Sequence, residues 1–271
     1  MAVTCTPPPI KFGTDGWRGK VAEDFTFPNV RAVIQSIADY LKTHPVPGRG
    51  KTIAVGFDTR FLGERFAAAA SEVLAGNGFH VLLTKDPTPT PTLSLTIRLR
   101  HLLGAIVITA SHNPAEYNGI KFKPYYAGPA EPAMTKWFEE HLWKTPVKSM
   151  LLPEAIRRKQ IERVDLAPAY RTFVRDFVDF KVLRKAKLRI VIDAMHGAGD
   201  HYLETILQGT SCRVETLHAD ADATFGGNRP EPIGEHLGFL SRVMRKGRFD
   251  LGFATDGDAD RGHDSCPGCR G

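Results

Sequence analysis

The sequence has few cysteines and no long hydrophobic run, and these absences exclude several classes of protein. The 271 residues include only Cys5, Cys212, Cys266 and Cys269, which are too few and too unevenly spaced for a disulfide framework. No segment approaches the roughly 20 apolar residues that a membrane helix needs, and the first residues lack the regions of a signal peptide. We therefore expect free thiols, no membrane partner and a cytoplasmic location.

The sequence also lacks a basic stripe with interleaved aromatic residues, so no nucleic-acid partner is expected. The net charge of +6 is modest and favours an anionic small molecule through its long-range field. The basic segment IRRKQIERVD, residues 156–165, is expected to form a solvated helix face. The 42% hydrophobic fraction is that of an ordinary globular protein. The length is sufficient for two domains.

Short apolar runs typical of strands alternate along the chain with segments in which apolar residues recur at helical spacing. This alternation predicts an α/β fold. KTIAVGFD, residues 51–58, is rich in β-forming residues, and Leu62, Phe66 and Val73 then fall on one helical face. Two rounds of alternation follow one another, separated by a polar stretch near residues 144–165. The predicted strands are 51–58, 79–85, 104–111, 119–123, 188–195, 212–218 and 249–256, and the predicted helices are 61–78, 93–103, 167–180, 199–209 and 236–247. Ligands of such sheets bind at the carboxyl ends of the strands.

The loop TASHNPAEYNGIKFK, residues 109–123, contains a candidate nucleophile. Ser, Asn and Pro are common at strand ends for backbone reasons, so an isolated Ser-His-Asn-Pro is expected to be a turn. Here Ser111 and His112 follow a buried strand, and the short strand GIKFK can return Lys121 towards them. A hydroxyl nucleophile needs activation and nearby positive charge, which these three side chains supply together.

A second loop, TDGDADR at residues 255–261, places three acidic residues after the last predicted strand. Because Asp256, Asp258 and Asp260 alternate, a curved loop can direct all three carboxylates at one point. Hard divalent cations such as Mg²⁺ prefer oxygen ligands of this kind. An EF-hand calcium loop begins similarly, but Arg261 replaces its glycine and no Glu follows. Taken alone, the loop fits a metal site and a solvated acidic turn equally well.

A third segment, KFGTDGWRGK at residues 11–20, combines glycines with an aromatic and a basic residue. The glycines indicate a flexible turn, and Trp17 and Arg18 offer an aromatic face and a bidentate fork for phosphate. The alternative is a tight turn with a buried Trp and a surface Arg.

Together these segments resemble one known family. FGTDGWRG, TASHNP, NGIKF and DGDADR occur in the order and spacing found in the α-D-phosphohexomutases, which include phosphoglucomutases, phosphomannomutases and phosphoglucosamine mutases. The resemblance runs from about Ile10 to Arg261. It implies two consecutive three-layer α/β domains with mixed sheets. Residues 1–148 would contain the phosphoserine loop, and residues 149–271 the metal-binding loop.

The resemblance also implies the roles of individual residues. Ser111 would become a phosphoserine, and Lys121 would act as general acid and base, with help from His112 and Arg18. The implied ligands of one Mg²⁺ are Asp256, Asp258, Asp260 and the phosphate on Ser111, and the implied substrate-binding residues are Thr14, Trp17, Arg18 and Arg261. The implied reaction interconverts the 1- and 6-phosphates of glucose or mannose through glucose 1,6-bisphosphate. Trp17 favours these hexoses over glucosamine.

The sequence departs from the family pattern after Arg261. Members continue through a third domain, which recognises the sugar, and a fourth, which binds the phosphate that is not reacting. Here GHDSCPGCRG, residues 262–271, replaces an apolar strand, so we expect the second sheet to lack a central or edge strand and the chain to have lowered solubility or to associate. Cys266 and Cys269 have neither the second ligand pair of a zinc site nor the following helix of a redox pair. A frameshift or premature stop explains this segment better.

Three functions are consistent with these expectations. The first is a phosphohexomutase whose activity is impaired by the missing domains. The second is a slow phosphatase that hydrolyses its own phosphoserine because water reaches the site. The third is a non-enzymatic module that binds Mg²⁺ or a sugar phosphate, or that pairs with a separate chain supplying the missing domains. GGNRPEP, residues 226–232, approaches the site or is only a Pro-rich turn.

Overall fold

A computed structural model describes residues 10–247 and 249–265 of the chain, in which two β-sheets follow one another. Cys5, Cys266 and Cys269, which were expected to be free thiols, lie outside these residues. The strands are β1 (Phe12–Gly13), β2 (Gly16–Lys20), β3 (Thr52–Phe57), β4 (His80–Thr84), β5 (Gly104–Ile108), β6 (Tyr117–Pro124), β7 (Ile161–Val164), β8 (Arg189–Asp193), β9 (Arg213–Leu217), β10 (Leu251–Thr255) and β11 (Gly262–Ser265). The helices are α1 (Phe27–Thr43), α2 (Gly63–Gly76), α3 (Thr90–Leu99), α4 (Pro132–His141), α5 (Leu152–Arg157), α6 (Ala167–Phe177), α7 (Phe180–Leu183), α8 (Tyr202–Leu207) and α9 (Gly238–Lys246).

The first sheet is mixed and has helices on both faces. Its strand order is β1-β2-β6-β5-β3-β4-β7, with β5, β3, β4 and β7 parallel and β6 antiparallel to its neighbours. Because side chains alternate along a strand, Ile53 and Val55 pack with α1 and α2, whereas Ala54 packs with Leu93 of α3 on the opposite face. This confirms the three-layer α/β arrangement expected for the first unit.

The longest helix, α1, has a clear start signal. The hydroxyl of Thr26 accepts a hydrogen bond from the backbone N–H of Asn29, and a proline follows in the first turn, where its missing N–H costs nothing. Val30, Val33 and Ile37 are fully buried and hold the helix against the first sheet.

The second sheet is smaller and also mixed. Within the described residues its order is β11-β10-β8-β9, with β10, β8 and β9 parallel and β11 antiparallel to β10. Val191 and Ala254 form a core with Leu240 of α9, and α8 packs with α6 and β9. None of the described helices is both long and apolar enough to cross a membrane.

Each sheet places a crevice at the carboxyl ends of two adjacent parallel strands. In the first sheet β5 and β3 are neighbours. The chain continues from β3 to its neighbour β4 on one side of this pair, and from β5 to its neighbour β6 on the other side. In the second sheet β8 leads to β9 and β10 leads to β11 on the opposite side. Loops diverge at such switch points and leave room for a ligand. The serine loop follows β5 and the acidic loop follows β10, so both lie at these crevices.

Two expectations about secondary structure were wrong. Residues 156–165 do not form one solvated helix, because α5 ends at Arg157 and β7 inserts buried Ile161 and Val164 at the edge of the first sheet. The expected domain boundary after residue 148 therefore precedes the last strand of that sheet. The second sheet does not lack the strand after the acidic loop either. Gly262–Ser265 forms β11 by backbone hydrogen bonding to β10 at the edge of the second sheet. Polar residues are compatible with such an exposed edge strand.

Candidate active site

Ser111 lies immediately after β5, with its side chain buried between the two sheets. Its Oγ donates a hydrogen bond to Oδ2 of Asp256 across 2.8 Å. The backbone of Ser111 has a left-handed conformation, with φ of 54°, which is strained for a residue other than glycine. Strained residues of this kind are concentrated at functional sites. The serine is therefore held in an unfavourable conformation that directs its hydroxyl at the second unit.

The three acidic residues predicted to bind a metal converge. One carboxylate oxygen from each of Asp256, Asp258 and Asp260 lies within 4.8 Å of the other two. The backbone N–H groups of Asp260 and Arg261 donate to Oδ1 of Asp256 over 3.0 and 3.1 Å, so the loop curves around that carboxylate. Oδ1 of Asp258 is buried without a hydrogen-bond partner. A buried carboxylate oxygen needs a partner, and this arrangement fits a divalent cation.

Lys121, on β6, reaches the acidic loop from the first sheet. Its Nζ donates to Oδ2 of Asp258 and Oδ2 of Asp260, each at 2.8 Å, and lies 3.1 Å from Oδ2 of Asp15. The side chain is only 1% exposed. Burial alone would lower the pKa of Lys121, but the three carboxylates raise it well above its usual value. Lys121 is thus a buried cation that offsets the repulsion among the acidic residues.

The acidic residues differ from one another in their pKa values. Burial, reinforced by the charges of Asp258 and Asp260, raises the pKa of Asp256 to about 7. Burial also opposes ionisation of Asp258, but the adjacent Lys121 ammonium lowers the pKa of that carboxyl below its ordinary value. The Lys121 ammonium therefore favours the carboxylate form of Asp258, while Asp256 binds a proton more tightly than an ordinary carboxyl group.

Thr90 attaches the acidic loop to the first unit. Its hydroxyl donates to Oδ2 of Asp258, and its backbone N–H donates to the carbonyl oxygen of Asp258 over 2.9 Å. Thr90 is the first residue of α3, so the positive end of that helix faces the carboxylate. This contact fixes the position of the loop relative to the first sheet.

A cavity of about 460 Å³ opens beside the serine and the acidic loop. Its wall includes four of the predicted residues: Thr14, Arg18, His112 and Arg261. Nδ1 of His112 lies 2.8 Å from Nη1 of Arg261, and the arginine can only donate, so the imidazole nitrogen accepts. Burial, together with the Arg261 and Arg18 charges, lowers the pKa of His112. The cavity therefore combines two guanidinium groups with a neutral imidazole, which suits a phosphate group.

The turn of the third segment brings its residues to this cavity. Gly16 has φ of 105°, and a Cβ there would lie 2.3 Å from the backbone oxygen of Ile120, so only glycine fits. Nη1 of Arg18 donates to Oδ1 of Asn113 over 2.6 Å, which connects the turn to the serine loop. The turn GGNRPEP contacts the site through Pro230, whose carbonyl accepts from the N–H of Gly257.

Trp17 does not belong to the cavity, which corrects its predicted role in substrate binding. Its side chain is 3% exposed and packs in the first core, with its ring centroid 5.0 Å from that of Phe25. Alternation along β2 turns Trp17 to the core, whereas Arg18 points to the cavity. The indole therefore contributes to stability, and the preference for a hexose that was inferred from it has no support.

Two buried charged residues that contact the serine loop were not predicted from the sequence. Asp58 and Arg60 follow β3 and form a buried ion pair, with Arg60 Nε 3.1 Å from Asp58 Oδ2. Burial raises the pKa of Asp58 to about 6, although Arg60 and the hydroxyl of Thr109 oppose the shift. Both residues contact the serine loop, and their position at the carboxyl end of a parallel strand was the available signal.

Comparison with known proteins identifies the family. Sequence models of the phosphoglucomutase/phosphomannomutase α/β/α domains I and II match residues 9–147 and 168–263. The chain belongs to the phosphoglucomutase/phosphomannomutase family. Human phosphoglucomutase-1 is 32% identical over 286 residues, covering 93% of this chain and 50% of the relative. A "probable phosphoglucosamine mutase" of Methanosphaera stadtmanae is 30% identical over 263 residues, covering 93% and 54%.

A solved structure supports the same assignment. A Thermus thermophilus protein assigned as a phosphomannomutase superimposes with a TM-score of 0.84 at 35% identity, covering 96% of this chain and 57% of that one. This likeness confirms the two-domain α/β architecture of the family. The chain spans about half the length of the curated relatives it matches.

Proposed function

We propose that this chain forms the phosphoserine and metal-binding half of a phosphohexomutase, which interconverts a hexose 1-phosphate and a hexose 6-phosphate. Glucose and mannose are the sugars that the names of human phosphoglucomutase-1 and the Thermus thermophilus protein indicate. The observation that carries the proposal is the hydrogen bond between Ser111 and Asp256. It joins a strained, buried hydroxyl to an acidic triad, and Lys121 forms ion pairs with two members of that triad. A nucleophile, a metal site and a cation thus lie together beside a basic cavity.

Asp256, Asp258 and Asp260 would hold one Mg²⁺, together with a phosphate oxygen on Ser111. The unpartnered Oδ1 of Asp258 and the convergence of three carboxylates support this assignment. A bound Mg²⁺ supplies neutralisation of the charge that develops on a moving phosphoryl group.

The protein's own residues would divide the remaining work. Ser111 presents Oγ to the phosphorus and would pass its hydroxyl proton to Oδ2 of Asp256, which accepts its hydrogen bond. Arg18 and Arg261 bind the sugar phosphate in the cavity. Lys121 is protonated in its surroundings, so it is suited to give a proton to the sugar oxygen as the phosphoryl group leaves for Ser111, and to take it back in the reverse direction. His112 accepts from Arg261 and keeps that guanidinium against the cavity. Ser111 would first give its phosphoryl group to the sugar, which forms a bound glucose 1,6-bisphosphate. The bisphosphate would then turn round and return its other phosphate to Ser111.

Sugar recognition would require groups outside this chain's described residues. The relatives are about twice as long, and we propose as the protein partner the remaining domains of such relatives, whether on the same or on a separate polypeptide. Such a partner would close the cavity and keep water from the phosphoserine.

The test is phosphorylation of Ser111. The purified chain is incubated with Mg²⁺ and glucose 1,6-bisphosphate, and its intact mass and peptide map are measured. We expect one phosphate, located on Ser111, that is absent in Ser111→Ala and strongly reduced in Asp258→Asn. Asp176→Asn, which removes an exposed carboxylate on α6 of the second unit, is the matched control and should be phosphorylated normally.

The other outcomes separate the alternatives. Phosphate on Ser111 that is released as inorganic phosphate, without isomerised sugar, would identify a slow phosphatase. A folded chain that binds Mg²⁺ or bisphosphate but takes no phosphate would be a binding module, and the proposed chemistry would be wrong.

A further inference from the structure

Arg60 is the most heavily hydrogen-bonded side chain next to the serine loop. Its guanidinium is fully buried and donates to four carbonyl oxygens of one loop. The acceptors and distances are Ser111 at 2.8 Å, Asn113 at 2.6 Å, Pro114 at 2.7 Å and Tyr117 at 2.9 Å. Because the fork of an arginine is planar and rigid, these bonds fix the path of the loop between β5 and β6.

The partner of Arg60 holds the same loop from its other end. Oδ2 of Asp58 accepts from Nε of Arg60 and from the hydroxyl of Thr109, the latter over 2.6 Å. The hydroxyl oxygen of Thr109 accepts from the backbone N–H of Ser111 over 2.8 Å. Both peptide groups of Ser111 are therefore anchored to one ion pair, the carbonyl directly and the N–H through Thr109.

This anchoring explains how a left-handed serine is maintained. With φ of 54°, Ser111 adopts a conformation that the free chain seldom visits. Fixing the N–H and the carbonyl on either side of its Cα determines where its Oγ points. The second unit also contributes, because the Phe225 ring covers the guanidinium with its centroid 4.9 Å from Cζ.

We propose that Arg60, together with Asp58, is a positioning residue that sets the conformation of the Ser111 nucleophile. Neither residue lines the cavity beside the serine, so both act through the loop and not on the substrate. The catalytic part of this inference rests on the function proposed above. Lysine cannot replace Arg60, since an ammonium has three donors and no fork to bridge four carbonyl oxygens.

The test compares Arg60→Lys with a matched control. Arg49 donates to the carbonyl oxygens of Ile97 and Leu102 near the opposite end of the first sheet, so Arg49→Lys makes the same exchange away from Ser111. Two measurements are made on each variant: single-turnover phosphorylation by glucose 1,6-bisphosphate with Mg²⁺, and hydrogen–deuterium exchange of the peptide covering residues 109–118.

We expect Arg60→Lys to lower the rate constant about 10- to 100-fold while the amplitude stays complete, because a small misplacement of a reacting atom is costly. The bisphosphate concentration for half-saturation should not change. Exchange should become faster in residues 109–118 and remain the same elsewhere. Arg49→Lys should leave the rate constant and this peptide unaffected. A reduced amplitude with an unchanged rate constant would mean that Arg60 only stabilises the fold, and would overturn the proposal.

Two further outcomes of the experiment are possible. If circular dichroism shows that Arg60→Lys does not fold, Asp58→Asn takes its place with the same expectations, since the amide keeps an acceptor for Thr109 but loses the charge that orients Arg60. If the wild type is not phosphorylated, the proposed function is wrong. The positioning role of Arg60 is then tested by hydrogen–deuterium exchange alone. Unchanged exchange of residues 109–118 in the variant would then refute it.

Discussion

Ser111 Oγ and Asp256 Oδ2 lie 2.8 Å apart, although the two residues are 145 positions apart in sequence and follow strands of different sheets. The first sheet supplies the hydroxyl and Lys121, and the second supplies the carboxylates. The site is therefore composite, and its geometry depends on how closely the two units approach.

Gly257 lies against the backbone of the serine loop, and we predict that Gly257→Ala disrupts the site. A Cβ at this position would lie 2.6 Å from the carbonyl oxygen of Ser111, and backbone cannot move aside as a flexible side chain can. We expect a loss of about 1 to 3 kcal/mol in the free energy of unfolding, measured by urea denaturation, and impaired phosphorylation of Ser111. Gly262→Ala is the control, because its Cβ would come no closer than 3.5 Å to Ala254 O. Equal effects of the two changes would contradict this explanation.

Replacement of Lys121 by alanine should make the protein depend on a divalent cation. The change leaves the carboxylates of Asp258, Asp260 and Asp15 without their shared partner, and removal of one member of a buried ion pair costs about 3 to 5 kcal/mol. We expect a lower melting temperature in chelator and a larger increase on adding Mg²⁺ than in the wild type. Lys123→Ala, which removes a cation whose one ion-pair partner within the described residues is Asp15, should show a smaller loss and no added response to Mg²⁺.

The raised pKa of Asp256 predicts how metal-free stability depends on pH. Burial raises this pKa from 3.8 to about 7, so between these values the folded state binds more protons than the unfolded state. Stability is then fully present below the unfolded pKa and falls as pH rises through about 7. Chemical denaturation in chelator at several pH values should show this decrease, and Asp256→Asn should reduce it. A smaller slope should remain from Asp58, whose pKa is also raised. An undiminished slope in the variant would contradict the assignment.

Because Mg²⁺ and a proton compete for the same carboxylate, Mg²⁺ affinity should rise with pH over the same interval. Isothermal titration calorimetry in buffers of different ionisation enthalpy should detect proton release on Mg²⁺ binding at about pH 6.5. Asp256→Asn should release fewer protons. Equal release from both proteins would assign the proton to another group.

Trp17 and Arg18 are adjacent but should respond oppositely to alanine substitution. Trp17→Ala empties a core position and should cost about 3 to 5 kcal/mol of unfolding free energy, while the folded fraction keeps its bisphosphate affinity. Arg18→Ala should change stability by less than about 1 kcal/mol but weaken bisphosphate binding. Denaturation and calorimetric titration of both variants check this pair of outcomes.

Much of the fold was predictable because apolar periodicity reflects burial. Strands β3, β5, β8 and β10 are short apolar runs, and the helices between them keep one apolar face. β7 escaped prediction since only Ile161 and Val164 of IERV are buried, which does not alternate. β11 has polar side chains and is formed by backbone pairing alone. In both cases the neighbouring strand determines the structure, and local sequence does not report it.

Site residues whose side chains contact one another could be predicted from the sequence. Residues whose side chains bind the backbone could not. Ser111, Lys121 and the acidic triad have chemically distinctive side chains at strand ends. Arg60 binds main-chain carbonyl oxygens of the serine loop, and such acceptors have no sequence signature. Trp17 was misassigned because its role came from the family resemblance, whereas the alternative of a buried Trp was correct and agrees with the alternation of β2.

The separation of Lys121 from its acidic partners also bears on the order in which the chain matures on the ribosome. Lys121 and Asp258 are 137 residues apart, so every residue of the first sheet emerges before that carboxylate is synthesised. Until then the ammonium has only Asp15 to compensate its charge among the described residues, and burying it is unfavourable. The serine loop and β6 should therefore stay incompletely packed in the nascent chain until the acidic loop arrives. Early release or pausing of synthesis would expose this edge to chaperones and proteases.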